Sequence, residues 1–482
     1  MRSIWQGESA PVFPPLRGDV RADVCVVGGG IAGLNCGYLL KKQGLKVAVV
    51  EAERVGMGTT GRTTGKITAQ HDLIYDFLSR TSGDDAARVY AEINQEALET
   101  YARIVRDEKI DCDFVRADSF VFARGDWTSL ENEQKAMARA GLDAYLTDAP
   151  GLPFPVDMAL GLRDQAHFHP MKYLHALAGR VPVYENTRAL EIEGNTVRTA
   201  EGTVTADRVV VATRFPFVNA PGYYFLRMHQ EMSCILALEG TPPLSGMYID
   251  RADGGLSLRP WGKYTLVCAG SWRTGENPGN QYAELERKAA EMFPDARPVA
   301  RWSAEDCVTQ DRLPFVGHYG ARTDDLFVAT GFNKWGMSLS MAAALVLTEM
   351  FGGAQTPAGE LFSPRRAPVH GMKALGDDMI ESVKGFARHL KFADANLPDV
   401  PRGAARVAEL DGRKVGAYRD ENGRLHTVSL TCPHLGCLLS WNPDDLSWDC
   451  PCHGSRFDVD GNLLDGPAQD TLAPCETVQV DV

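Results

Sequence analysis

The chain has 482 residues, 44% of them apolar and 23% charged, with 63 acidic against 50 basic side chains and a net charge of −13. That length exceeds one ordinary core and calls for two or three domains. The acidic balance, with no block of Lys/Arg, excludes a nucleic-acid or anionic-membrane binder, and no apolar run is long enough for a transmembrane segment. Met1 to Leu16 lacks a basic stretch followed by an apolar one, so no secretory leader is read there and the expected location is cytoplasmic. Cysteine usage agrees. Cys25, Cys36, Cys112, Cys234, Cys268 and Cys307 are scattered like reduced, buried thiols, whereas Cys432, Cys437, Cys450, Cys452 and Cys475 crowd beyond residue 430.

Residues 23–51 read as a βαβ unit. Asp23 to Val27 is a short buried strand, Gly28-Gly29-Gly30-Ile31-Ala32-Gly33 fits G-x-G-x-x-G, Leu34 to Gln43 continues as a helix, and Val47 to Val50 is the second strand. Gly28 permits the tight turn, Gly30 lets backbone approach a pyrophosphate, and Gly33 permits close helix–strand packing. The helix N-terminal amides would then face phosphates. Glu51, twenty-three residues after Gly28, stands where a carboxylate accepts from ribose hydroxyls, with Ala52 beside it. No second copy of the motif occurs. A single nucleotide site argues for FAD and against a built-in NADH site.

The stretch Gly56 to Lys66, rich in Gly and Thr, reads as a loop wrapping that cofactor through Gly58, Thr59, Thr60, Arg62, Thr63 and Thr64. Here the sequence resembles the D-amino-acid oxidase/glycine oxidase/sarcosine oxidase superfamily of FAD enzymes. It departs from them in one respect, since Thr63-Thr64-Gly65-Lys66 replaces the more usual Asn-x-Gly. Lys66 and His71 follow the loop closely and are the only catalytic candidates; for both, a structural role competes.

Residues 84–107 carry apolar side chains at helical spacing. Ser119 to Ala123 and the stretch after Leu146 look like strands, and Pro170 opens another helix. Residues 188–206 read as a hairpin or meander. Ala206 to Thr213 resembles the superfamily's second cofactor-side strand, ending at Ala212 and Thr213. Residues 214–300 alternate like antiparallel strands; the resemblance makes this sheet the roof over the flavin, with Tyr248, Arg259, Trp261 and Trp272 as substrate-binding candidates, for each of which ordinary packing or a solvated face competes. Trp302 followed by Thr309-x-Asp311-x-x-Pro314-x-x-Gly317 resembles the superfamily's C-terminal flavin-side signature. The strand Leu326 to Gly331 and the helix Ser338 to Met350 would bring Gly331, Gly336 and Met337 to the flavin.

Residues 371–399 read as a connector. Ala404 to Ser429 alternates as short strands and precedes Cys432-Pro433-His434 and Cys450-Pro451-Cys452-His453, a C-x-H and a C-x-x-H. Two thiolates on one iron and two imidazoles on the other are what a Rieske [2Fe–2S] centre requires, and zinc is the alternative, although zinc leaves Cys437 and Cys452 idle. The stretch resembles the Rieske proteins of respiratory and photosynthetic cytochrome complexes. The resemblance implies metal ligands Cys432, His434, Cys450 and His453, a Cys437–Cys452 disulfide, a Ser455 hydroxyl bonded to a cluster sulfur, and a proline loop at Gly466-Pro467-Ala468. Phe457 stands where the high-potential proteins carry tyrosine, which should lower the potential. The two histidines are expected to be exposed and to receive the electron acceptor.

The expected fold is an α/β, Rossmann-like FAD-binding domain with an antiparallel-sheet substrate domain, plus a C-terminal all-β Rieske domain. Residues 1–370 would form the oxidoreductase, with FAD-binding parts about 20–75, 166–213 and 302–352, and the substrate-side sheet about 110–165 and 214–300. Residues 400–482 would form the Rieske domain. The expected function is a FAD-dependent dehydrogenase oxidising a small amine or amino-acid-like substrate at a C–N bond, with electrons leaving singly through the cluster to an external acceptor protein. The alternatives are an electron-transfer component serving a partner oxygenase and an O₂-using amine oxidase.

Overall fold

The structure is a computed structural model that describes residues 3–7, 10–252, 254–366, 397–410 and 413–473. The expected connector falls outside the described residues except for a short 3-10 turn at Leu397–Asp399, and Cys475 lies outside them too.

Apolar strands build the first sheet. Val20–Val27 lies parallel between Val47–Val50 and Thr203–Val211, and Leu326–Thr330 and Val183–Tyr184 extend the sheet on either side. Runs such as Val47–Val50, buried throughout, suit a parallel sheet covered on both faces. The helix Ile31–Lys42 packs on the central helix Gly336–Phe351, which is apolar around most of its circumference and buried accordingly. The segment 188–206 does form a meander: Glu191–Glu193 pairs with Thr196–Arg198, which pairs with Thr203–Val211.

The second sheet has nine strands and runs from Lys66–Ile67 to Arg297–Thr309. It is antiparallel except where Gly246–Asp250 lies parallel to Val115–Ala123. Two boundaries differ from the sequence reading. The strand Arg297–Thr309 carries this sheet past residue 300, because its long register with Met228–Glu239 delivers the chain from the sheet to the cofactor side. Residues 281–292 are helix, not strand; Tyr282, Leu285 and Ala289 recur at helical spacing and bury against the sheet.

In the C-terminal region, Ala404–Leu410, Arg413–Arg419 and Leu425–Ser429 form one small antiparallel sheet. Ser440–Asn442, Ser447–Asp449, Arg456–Phe457 and Leu463–Asp465 form another. Two loops, 430–439 and 450–455, lie between and beside these strands and share a core with Trp448 and Phe457. No helix among the described residues is long and apolar enough to cross a membrane.

Candidate functional site

A cavity of about 750 Å³ starts at the glycine turn and runs to the face of the second sheet, within the range of ligand and cofactor pockets. Gly28 has φ +115°, and a Cβ there would lie 2.6 Å from the Ala212 carbonyl oxygen; only glycine lets the turn pass so close to the neighbouring strand. Glu51 accepts from Gly29 N (2.6 Å) and Glu53 N (2.9 Å) and so fixes the turn to the end of the second strand. Burial pushes its carboxyl up, against the pull of those two amides. One expectation shifts here. The amide of Ile31, at the helix start, is capped by Thr60 Oγ1 at 3.0 Å and does not stand open to a phosphate.

The Gly/Thr loop is clamped from behind. Trp5 Nε1 donates to Thr63 O (2.6 Å), Trp302 Nε1 donates to Arg62 O (2.8 Å), and Arg259 donates to Thr64 O and to Phe168 O (2.8 Å). Arg259 is fully buried in this role and does not line the cavity. Nor do Tyr248, Trp261 and Trp272: Tyr248 stacks on Phe120 and donates to Pro150 O (2.9 Å), and Trp261 stacks on Tyr264. Of the residues expected at the cofactor, all but Gly33 line the cavity. Gly33 packs behind it, where a Cβ would overlap the Gly28 carbonyl oxygen. The flavin-side signature divides: Cys307 and Val308 reach the cavity, whereas Asp311 holds Arg366 through two bonds of 2.6 and 2.8 Å.

Both catalytic candidates face the cavity. The His71 ring stacks on Trp335 at 4.5 Å, and its Nδ1 lies 2.6 Å from Tyr90 Oη. Burial pushes the Tyr90 phenol up and the His71 imidazole down to about 3, so both are neutral. The Tyr90 hydroxyl and Nδ1 share one hydrogen bond, whose direction is set by the tautomer of the neutral ring. Lys66 donates to Tyr248 O (3.2 Å) and to Ser257 Oγ. Burial pushes its ammonium down to about 7.

Below that pH the fold must hold a charge that the unfolded chain keeps in water, a cost that vanishes as pH rises to the ordinary lysine range. Lys66→Met should therefore raise stability by a few kcal/mol at about pH 6, and the gain should shrink as pH climbs from about 7 toward 10. Thermal unfolding across that range measures it; a difference that does not change with pH contradicts the assignment.

The two C-terminal loops are the same turn used twice. Gly436 N donates to Cys432 O (2.9 Å) and Gly454 N to Cys450 O (2.9 Å), while Cys432 N and Cys450 N close the turns on Cys437 O (2.9 Å) and Ser455 O (2.8 Å). Both glycines have positive φ, +79° and +81°, which explains a glycine after each ligand segment. The turns place the His434 and His453 rings 4.9 Å apart, each with a buried Nδ1 that has no partner among the described residues. Cys432 and Cys450 are buried beside them. Burial holds both imidazoles neutral, His434 down to about 4 and His453 to about 3. Two thiols and two neutral imidazoles with orphaned nitrogens form a donor set that fits a metal centre. The Sγ atoms of Cys437 and Cys452 lie at bonding distance, 2.16 Å. Ala468 N donates to Ser455 Oγ (2.9 Å), tying the proline loop to the second turn.

This region is docked on the cavity side, with His453 buried and His434 half-buried. His453 is only 4% exposed; its ring faces Phe225 (5.6 Å) and Phe215 (6.5 Å), and Gln230 Nε2 donates to its carbonyl (2.6 Å). His434 Nε2 lies 3.0 Å from Asn219 Oδ1. The expectation of exposed histidines is therefore corrected for His453, which is buried in a contact between domains, whereas His434 stays half-buried. A buried charge network flanks that contact. Asp465 meets Arg214 (3.1 Å), Arg62 (3.3 Å) and Arg456 (3.6 Å), and Arg214 also meets Glu305 (2.9 Å). Burial alone would raise the Asp465 carboxyl, but the three arginines outweigh it and hold it below the usual carboxylate range. Leu463, Asp465, Gly466 and Pro467 then form part of the wall of the 750 Å³ cavity.

Residues 23–350 match the FAD dependent oxidoreductase (DAO) family, and residues 391–476 match the Rieske [2Fe-2S] domain. The chain belongs to the DAO family of FAD-dependent oxidoreductases and carries a C-terminal Rieske domain. Over 493 residues it is 34% identical to the Rieske 2Fe-2S iron-sulfur protein YhfW of Bacillus subtilis (strain 168), covering 98% of this chain and 96% of YhfW. Gamma-glutamylputrescine oxidoreductase of Escherichia coli (strain K12) is 33% identical over 378 residues, covering 71% of this chain and 86% of the relative. Glycine oxidase from Geobacillus kaustophilus shares the fold, with a TM-score of 0.62 at 21% identity, over 72% of this chain and 100% of that one.

FAD and a Rieske cluster are thus the cofactors, and zinc is set aside. Phe457 is fully buried in the core that holds Cys432 and Cys450. Phe457→Tyr should raise the cluster potential by roughly 40 mV, since a hydrogen bond contributes about 1 kcal/mol and about 59 mV corresponds to 1.4 kcal/mol for one electron. An EPR-monitored redox titration of both proteins measures it; an unchanged potential contradicts the reading of Phe457. The sequence reading missed Trp5 and Gln230, whose positions in the chain carry no motif, whereas Trp302, the first residue of the flavin-side signature, clamps the Gly/Thr loop.

Proposed function

We propose that this chain oxidises a small amine or amino-acid-like substrate at a CH–NH bond and passes the electrons one at a time to an external acceptor protein. The single observation behind this reading is the shared wall: residues of the Rieske domain's proline loop line the same cavity as the glycine turn. The substrate class rests on family membership and on the amine named for the E. coli relative. FAD takes an electron pair from a C–H bond, and a Rieske cluster carries single electrons. Oxidation of CH–NH to C=N releases two electrons and two protons, so one turnover consumes two equivalents of a one-electron acceptor, and water then hydrolyses the imine.

The chain's own residues bind and orient. Gly28, Gly30, Glu51 and the 58–64 loop would hold the dinucleotide, the helix from Gly336 would face the flavin with its N-terminal turn, and Cys432, Cys450, His434 and His453 would hold the cluster. His71 and Lys66 line the cavity and would orient the substrate; neither is needed as a strong base, because a neutral amine that is well placed can release hydride directly.

The test is aerobic and anaerobic turnover of the holoenzyme over a panel of amines and amino acids, with ferricyanide as a one-electron acceptor. Substrate-dependent ferricyanide reduction with little peroxide supports the proposal. Rapid peroxide formation in air favours the oxidase, and reduction only by a separate reductase favours the oxygenase partner.

A further inference from the structure

Gln230 stands at the centre of the contact between the two cofactor regions, and every polar atom of its side chain is used there. It lies on the strand Met228–Glu239 and is 1% exposed. Its Nε2 donates to His453 O (2.6 Å) and to Gly466 O (3.0 Å), so one amide holds both a metal-ligand turn and the proline loop. Its Oε1 accepts from the Cys307 thiol (3.8 Å), and Cys307 lies directly opposite in the sheet register and lines the flavin cavity. The fit is tight: a Cβ on Gly454 would overlap Gln230 Nε2 and come within 2.8 Å of Glu305 Oε1.

We propose that Gln230 is the positioning residue that couples the flavin cavity to the cluster, through Cys307 on one side and the His453 backbone on the other. The proposal rests on the two-cofactor reading above but not on the identity of the substrate. The amide chemistry is specific. Two carbonyls need two N–H donors and the thiol needs an acceptor, and no other uncharged side chain of that length supplies both. Leucine at 230 would keep the volume and orphan both carbonyls, and glutamate would set an oxygen against them. Phe215, on the cavity wall and 6.5 Å from the His453 ring, offers a second route, so the expected result is slowing and not abolition.

Flash photoreduction of the holoenzyme with a 5-deazaflavin tests this without any substrate. It delivers one electron, taken ultimately from a sacrificial donor, and its redistribution between flavin and cluster is followed at their separate absorption bands. In Gln230→Leu, with both centres loaded and the cluster's EPR g-values unchanged, redistribution should slow at least about tenfold, the scale seen when an outer partner of a metal ligand is removed. Cys307→Val should slow it by less, and Cys307→Ser, which keeps a donor, should match the wild type. A wild-type rate in Gln230→Leu overturns the proposal, and so does a slowing that comes only with altered g-values, which would make Gln230 a shaper of the cluster's ligand shell. Should Gln230→Leu lose its cluster, equal rates in Cys307→Val and Cys307→Ser overturn it.

Discussion

Asp465→Ala is expected to loosen the Rieske domain from the flavin domain and to release FAD. The carboxylate sits among three arginines. Among the described residues Arg62 forms its ion pair with Asp465 alone, whereas Arg214 keeps Glu305 and Arg456 keeps Asp445 and Asp449. Removing one member of a buried pair leaves its partner charged and desolvated, a loss of about 3–5 kcal/mol. Two consequences should appear together, because Arg62, Arg214 and Asp465 line the same cavity. The unfolding temperature should fall, and FAD should be lost on gel filtration. Faster amide exchange over 463–469 would place the opening at the domain contact. Asp465→Asn, which keeps the shape but not the charge, should show a smaller loss.

The pH dependence follows from the direction of the shift. The folded carboxyl titrates below its unfolded value, so its stabilisation is complete above the ordinary aspartate range, about pH 4, and is lost as pH falls through the lower folded value. The wild type and Asp465→Ala should therefore converge in acid. Equal unfolding temperatures and equal FAD retention at neutral pH would contradict the account of the docking network.

Gly33→Ala carries the second large effect. The added methyl would overlap the carbonyl oxygen of Gly28 and lie 3.2 Å from Val26 Cγ1. Neither the helix nor the turn can move away cheaply. The turn is pinned by Glu51 through Gly29 N and presses on Ala212, and the helix is wedged against Gly336–Phe351. Overpacking of a well-filled core costs about 1–3 kcal/mol, and here the displaced atoms belong to the dinucleotide turn itself. The expected result is a folded protein that purifies without FAD while its Rieske EPR signal persists. Full flavin occupancy in Gly33→Ala would show that the turn is softer than its packing implies.

These two sites mark how far the sequence alone could reach. The glycine turn, Glu51 and the Thr-rich loop were legible because each answers a local demand: a positive φ, a close backbone approach or a carboxylate at a fixed distance along one βαβ unit. The Rieske turns were legible for the same reason, since a ligand–x–x–x–Gly turn is a short-range object. What joins the two halves was not. Asp465 meets Arg62 across a separation of 403 residues and Gln230 meets His453 across 223, and nothing local distinguishes them from surface polar residues. The same blindness made His453 look exposed, because a ligand loop at the tip of a small domain carries no sign of what covers it. Arg259 shows the converse error. A cation on a sheet near a flavin reads as a substrate anchor, yet its guanidinium is spent on the carbonyls of Thr64 and Phe168.

The most direct test of the central claim, that an amine-oxidising flavin and a Rieske cluster work as one unit in this chain, is anaerobic rapid mixing of the fully loaded protein with an amine that supports turnover. Flavin absorbance and the Rieske bands are recorded on one time axis. The flavin band should be lost first, then the Rieske bands within the same turnover and without added carrier. Flavin that bleaches while the Rieske bands stay oxidised would contradict the claim.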